Sequence, residues 1–140
     1  MITCTRRVEF DAAHRVTEHE SKCKMLHGHR YVVEATFSAQ GLDNIGRVID
    51  FGVIKERLGR WIDDNWDHNT ILCEQDKDLG SAIESQLSQK IFYLQKNPTA
   101  ENMAEYLLEI VCKRIFPEEG LRCDRIRLYE TPNCYADACA

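Results

Sequence analysis

No apolar run in the chain approaches the ~20 residues that a membrane-spanning helix needs, and neither an internal repeat nor a low-complexity segment is present. The opening stretch, MITCTRRVEFDAAH, lacks the apolar core of a signal peptide, so the expected location is the cytoplasm and no membrane partner is expected. An excess of positive charge is missing too. The formal net charge is -5 at pH 7, which does not favour a nucleic-acid partner. Although there are 7 cysteines, no Cys-x-x-Cys pair occurs. An odd count without paired spacing argues against a disulfide framework and for free thiols in a reducing compartment. Cys4, Cys112 and Cys123 sit in apolar patterns and read as small core residues. Cys134 and Cys139 suggest metal binding only weakly.

What is present fits one ordinary globular domain over residues 1–140. A hydrophobic share of 44% can fill a core, and 29% charged residues make a solvated surface rather than a disordered chain. Residues 2–10, ITCTRRVEF, alternate. Ile2, Cys4, Val8 and Phe10 share one face, which Arg6 interrupts. Residues 29–39 form a second strand pattern with Tyr31, Val33, Ala35 and Phe37 on one face. Gly41-Leu42-Asp43-Asn44 reads as a turn and Val48-Ile49 as a short extended piece. Asp50 caps an expected helix over 51–65 whose stripe is Ile54, Leu58, Trp61 and Ile62. Thr99 caps another, with Met103, Leu107, Ile110, Val111 and Ile115 as the stripe and Pro117 and Gly120 ending it. Residues 122–130 alternate again, with Ile126, Leu128 and Glu130 on one side. Residues 66–97 stay ambiguous, because SAIESQLSQKIFYL suits a short helix or a strand. The expected class is α+β, an antiparallel sheet with two helices on one face. Its unpaired sheet edges imply a homo-oligomer.

The chemistry gathers around CKMLHGHR. In a strand, residues two apart share a face, so His27 and His29 present both imidazoles together with Gly28 between them. His14, at the end of FDAAHR, approaches them if the first two strands pair antiparallel. Three imidazoles suit zinc and leave a fourth position open for water or substrate. His19 fits the third place as well by spacing, and HGH alone is also compatible with two surface histidines near a turn. Cys23 has two readings: a fourth ligand that closes the site, or a free thiolate acting as base or nucleophile. His19-Glu20-x-x-Cys23 lacks the second histidine of a zincin helix, and the zinc-deaminase signature is absent. Asp67-His68 is an acid/base pair or two solvated loop residues. Glu130 is an acceptor for a guanidine-like N–H pair or an ordinary strand-end carboxylate. Arg15, Lys22, Lys24 and Arg30 form a local basic patch.

Taken in order, FDAAHR, CKMLHGH, VIDFGVIK, DHNTIL, NPTAEN and YETPN resemble the 6-pyruvoyltetrahydropterin synthase and 6-carboxytetrahydropterin synthase family. The likeness runs from about Phe10 to Asn133 and is least from about Glu74 to Gln95. It implies the tunnelling fold, with subunits joined sheet edge to sheet edge into trimers or hexamers and active sites at subunit interfaces. It implies zinc on His14, His27 and His29, with Cys23 as a catalytic thiol off the metal, and Asp67 and His68 as its acid/base partners. Glu130 would anchor the pterin ring, and Thr99 would line its pocket. The implied substrate is 7,8-dihydroneopterin triphosphate. One branch of the family, in queuosine biosynthesis, releases acetaldehyde and triphosphate and leaves 6-carboxytetrahydropterin. The other keeps every side-chain carbon and makes the 6-pyruvoyl product. The Cys-x3-His spacing resembles the carboxy-forming enzymes. A non-catalytic zinc- or pterin-binding module is the reading from another class.

Overall fold

The computed structural model describes residues 1–140. Its first two strands, β1 (Thr3–His14) and β2 (His27–Ala39), run antiparallel in a register that pairs Thr3 with Ser38 and His14 with His27. The alternation expected for β1 is present: even-numbered residues point inward, and burial deepens towards Phe10, Ala12 and His14. Arg6 falls on the inward side where that side is still half-exposed, so it breaks the pattern at little cost. Tyr31, Val33, Ala35 and Phe37 are fully buried. Ile2 lies outside β1 and is exposed.

Asp50 caps the first helix through its side chain, which accepts from the Gly52 N–H at 2.7 Å. This helix, α1, spans residues 51–65, with a π turn at Lys55–Gly59 in its middle. Ile54, Leu58, Trp61 and Ile62 are its buried stripe. Residues 48–49 do not form a strand; they belong to the irregular connection before it.

The ambiguous segment resolves into β3 (Asn69–Cys73), α2 (Lys77–Leu87) and β4 (Ile91–Leu94). β3 runs parallel to β1, and β4 parallel to β3. Short apolar runs such as TILC and IFYL carry no period long enough to separate strand from helix, and only pairing decides them. Thr99 caps the third helix by accepting from the Asn102 N–H at 3.2 Å. This helix, α3, spans residues 100–115. Its buried stripe is Met103, Ala104, Leu107, Leu108, Val111 and Cys112. Ile110 is half-exposed, contrary to expectation, because it lies off the line that these pairs draw along the helix. β5 (Leu121–Thr131) and a further strand, β6 (Cys134–Cys139), complete a sheet of order β4-β3-β1-β2-β5-β6.

The architecture is α+β. Its antiparallel part is β1, β2, β5 and β6, with α1 and α3 contributing to one core that includes Phe10, Tyr31, Ile62, Trp66, Leu107 and Ile126. Helix α2 packs on the opposite face. Ile71 joins the main core, whereas its neighbour Leu72 packs with Ile83 and Ile91 in a second, smaller cluster. Adjacent strand residues point to opposite faces, so β3 is covered on both sides. All seven cysteines are free; Cys112 is buried, Cys4 and Cys123 pack against the core, and Cys134 and Cys139 are exposed at the ends of β6. No helix is long and apolar enough to cross a membrane.

Candidate metal and catalytic site

His14 ends β1 and His27 opens β2, directly opposite one another, and His29 lies opposite Ala12. Opposed residues of an antiparallel ladder project to the same side. The three rings therefore stand on the face that carries Phe10 and Tyr31, with centroids 4.7, 5.1 and 4.9 Å apart. Tyr31 forms the floor beneath His14 and His29, edge to face at 5.8 and 5.5 Å. Its phenol is pushed well up by burial. Gly28 projects away from this cluster. A Cβ there would meet the Ala12 carbonyl oxygen at 3.1 Å, so glycine lets the two strands close where the imidazoles meet.

Two backbone carbonyls fix the tautomers. His14 Nδ1 lies 2.7 Å from the Pro98 oxygen, and His27 Nδ1 lies 2.7 Å from the Met25 oxygen. A carbonyl only accepts, so each Nδ1 carries the proton and donates it. In the neutral rings Nε2 then holds a lone pair, yet the two Nε2 atoms are 3.2 Å apart. His29 Nε2 is buried without a hydrogen-bond partner. Glu130, near the end of β5, brings Oε1 to 3.0 Å from His14 Nε2 and 3.4 Å from His29 Nε2. Two lone pairs, a carboxylate oxygen and an unpartnered ring nitrogen that converge in this way need a cation among them, either a proton or a metal ion. Burial holds the His29 imidazole below the usual histidine range, favouring its neutral, ligating form. The His14 contact holds the Glu130 carboxyl below the usual carboxylate range.

The donor set fits zinc. Zn–N bonds of ~2.0–2.1 Å at a tetrahedral angle place neighbouring nitrogens about 3.3–3.4 Å apart, close to the separation of His14 and His27. The ligand atoms of His14, His27 and His29 all lie within 4.8 Å of one another. His19 is not in this group; its Nδ1 accepts from the Ser21 N–H. Cys23 is not in it either. That residue sits half-buried in a short turn, Lys22–Lys24, where its carbonyl accepts from the Val16 N–H at 2.8 Å.

Asp67 and His68 lie between α1 and β3. His68 Nδ1 donates to Asp67 Oδ2 at 2.8 Å, while Asp67 Oδ1 accepts from the Asp11 N–H at 3.0 Å. The His68 side chain is 77% exposed. Asp67 raises the affinity of this imidazole for its proton. Burial pushes the Asp67 carboxyl up, but the Asp11 N–H and His68 outweigh it and hold it low. A depression of about 420 Å³ is bordered by Asp11, Gly28, Arg30 and His68, on the face of the sheet opposite the three imidazole rings. Asp67→Asn is expected to lower the pH at which His68 loses its proton, read as a downward move of its imidazole C–H titration midpoint.

Of the four cations crowding the opening stretch, two are engaged. Arg15 forms a two-pronged pair with the buried Asp76, and Arg30 pairs with Asp11 and Glu9. Lys22 and Lys24 remain exposed on either side of Cys23. Arg15→Ala strands a carboxylate whose side chain is only 7% exposed. The expected cost is about 3 kcal/mol of folding stability, measured by denaturant unfolding.

Thr99 uses its hydroxyl as the α3 cap, and the neighbouring Pro98 carbonyl is what touches His14. The carbonyls of Met25 and Pro98 carry no side-chain signal, so sequence reasoning missed them. Asp76 was missed because nothing marks one acidic residue among many as the buried one.

The family model described as 6-pyruvoyl tetrahydropterin synthase matches residues 3–139. The chain is 50% identical over 137 residues to the 6-carboxy-5,6,7,8-tetrahydropterin synthase of Rickettsia conorii, covering 98% of this chain and 99% of that protein. It is 29% identical over 143 residues to the protein of the same name from Haemophilus influenzae, covering 98% of each. An uncharacterized protein from Wolinella succinogenes has a similar structure, with TM-score 0.81 and 22% identity over 99% of this chain and 97% of that one. The 6-pyruvoyl tetrahydropterin synthase of Caenorhabditis elegans is similar at TM-score 0.70 and 22% identity, covering 99% and 95%. The fold of this chain is the tunnelling fold of these neighbours.

Proposed function

Because the chain belongs to the 6-pyruvoyl tetrahydropterin synthase family, we propose that it is a zinc-dependent lyase. In this reading it converts 7,8-dihydroneopterin triphosphate to 6-carboxy-5,6,7,8-tetrahydropterin, with release of acetaldehyde and triphosphate, in queuosine biosynthesis. The observation that carries the reading is the convergence of three Nε2 atoms beside Glu130, in a chain whose relatives include proteins named 6-carboxy-5,6,7,8-tetrahydropterin synthase.

His14, His27 and His29 would hold the zinc. When bound, zinc supplies Lewis acidity to the oxygens of the substrate side chain. The Met25 and Pro98 carbonyls keep two of the rings in the ligating tautomer. Glu130 accepts from the N–H groups of the pterin ring and sets its orientation, and Thr99 stands at the edge of that pocket. Cys23 as thiolate removes a proton from the side chain. His68 is kept charged by Asp67 up to a pH above the ordinary histidine range, and it returns a proton from the solvent side. Lys22 and Lys24, free of carboxylate partners, receive the triphosphate. The work is divided within a single domain, 1–140. β4 and β6 leave the two sheet edges open for further copies of the chain, in a trimer or a pair of stacked trimers.

A second reading is a 6-pyruvoyl synthase, since the matching family model carries that description. Incubating zinc-loaded protein with 7,8-dihydroneopterin triphosphate separates the two. Acetaldehyde with a 6-carboxy product supports the first reading, and a three-carbon side chain retained on the pterin supports the second. No turnover of either kind would leave a binding module.

A further inference from the structure

The connection from α2 into β4 reaches back to His68. β4 lies parallel to β3 with Thr70 opposite Ile91, so the residues just before β4 run beside the residues just before β3. Gln89 stands there, half-buried, after Ser88 has turned the chain out of α2 in a left-handed conformation with φ of 52°. Its amide is used at both ends. Oε1 accepts from the Thr70 hydroxyl at 2.8 Å, and Nε2 donates to the His68 carbonyl at 3.1 Å. Thr70 is itself buried, so the orientation of this amide is set from inside the sheet.

His68 needs such a hold. Its φ of 57° lies in the left-handed region that a residue with a Cβ disfavours. Its ring is largely exposed and has one hydrogen-bond partner, Asp67. On the backbone side, the His68 N–H donates to the Asp11 carbonyl at 2.6 Å, and the His68 carbonyl has only Gln89. The peptide planes on either side of His68 are thus pinned by β1 on one hand and by Gln89 on the other. Gln89 also borders the depression on which His68 opens.

We propose that Gln89 is a positioning residue for His68, delivered by the β3–α2–β4 unit. It holds the backbone of His68 in its left-handed turn so that the imidazole meets Asp67 and the substrate. The proposal rests on the reading of His68 as a proton-transfer group. Its signature is a loss in turnover without a loss in binding, because the Gln89 amide hydrogen-bonds to Thr70 and His68 and to none of the metal ligands or Glu130.

The test compares Gln89→Met, Thr70→Val, His68→Ala and the His68→Ala/Gln89→Met double variant as full-length, zinc-loaded proteins turning over 7,8-dihydroneopterin triphosphate. Gln89→Met keeps the side-chain volume and removes both hydrogen bonds. It is expected to lower kcat roughly 10- to 100-fold, with KM and zinc content unchanged. Thr70→Val should lower kcat in the same direction by less, since it frees the amide without removing it. In the His68→Ala background, Gln89→Met should add no further loss. Wild-type kcat in Gln89→Met, or an equal loss on both backgrounds, overturns the proposal and leaves the reading of His68 intact. Wild-type kcat in His68→Ala overturns that reading, and the proposal with it. If Gln89→Met fails to fold, Gln89→Glu decides. It keeps an acceptor for Thr70 and has no amide to donate, so kcat must still fall; unchanged kcat there overturns the proposal.

Discussion

Cys23→Ala is expected to keep about one zinc per chain and to lose about three orders of magnitude in turnover. Metal retention follows from the geometry. The three imidazoles form a closed group, two of them with tautomers set by carbonyls that the substitution does not touch, and Cys23 is outside that group. The fold should tolerate the change, because Cys23 is half-buried in a three-residue turn tied to Val16 through its backbone carbonyl. Substitutions outside the core that break no cap, buried hydrogen bond or ion pair usually move stability by no more than ~0.5 kcal/mol. The loss in turnover follows from chemistry. No thiol belongs to the group of imidazoles, and alanine has nothing to take a proton. Metal analysis and a turnover assay on the same preparation check both halves. Loss of stoichiometric zinc would make Cys23 a ligand and the site structural. Retained turnover would remove its role as base.

His29→Ala is expected to abolish stoichiometric zinc and turnover together. His29 Nε2 is a buried ring nitrogen with no hydrogen-bond partner, which is costly unless a metal ion meets it. Removing a group that only orients a ligand costs about 10- to 100-fold in metal affinity, and removing a ligand should cost more. The second readout is thermal. A metal that binds only the folded chain stabilises it by about 2.7 kcal/mol at a free concentration of 100 Kd. For a chain of this length that raises Tm by roughly 6–10 °C. The wild type should show this increment and His29→Ala should not. Protons compete with zinc for the same nitrogens, so the increment should shrink as pH falls through the range where the imidazoles protonate. An undiminished increment in His29→Ala would place the metal elsewhere.

The pieces of this site differ in how far they could be read in advance. HGH at a strand start puts two imidazoles on one face by strand geometry alone, whatever the rest of the fold does. Asp67 and His68 are adjacent, yet adjacency did not establish their pairing. The left-handed φ at His68 is what turns its ring back onto Asp67. Glu130 was legible as a strand-end carboxylate on the side of Ile126 and Leu128, but its distance to the histidines depends on β5 lying beside β2. The choice between His14 and His19 was open by spacing. It was decided by the pairing of His14 with His27 and by a contact from His14 to Pro98, 84 residues away.

The sequence by itself determined the period-2 faces of β1, β2 and β5, the caps at Asp50 and Thr99, the buried stripe of α1 and the order of the chemical motifs. Each of these rests on residues within a few positions of one another, where backbone geometry and local hydrogen bonds suffice. The tertiary structure alone decided that β3 and β4 join the sheet in parallel, that α2 covers the other face, and that β6 extends the edge. It also decided which nitrogens keep their lone pairs, and that Asp76 and Gln89 serve residues more than fifteen positions away. These depend on strands and carbonyls distant in the chain meeting in one register. Pairings of that kind are chosen by the burial of the whole sheet, and no short window of residues contains them.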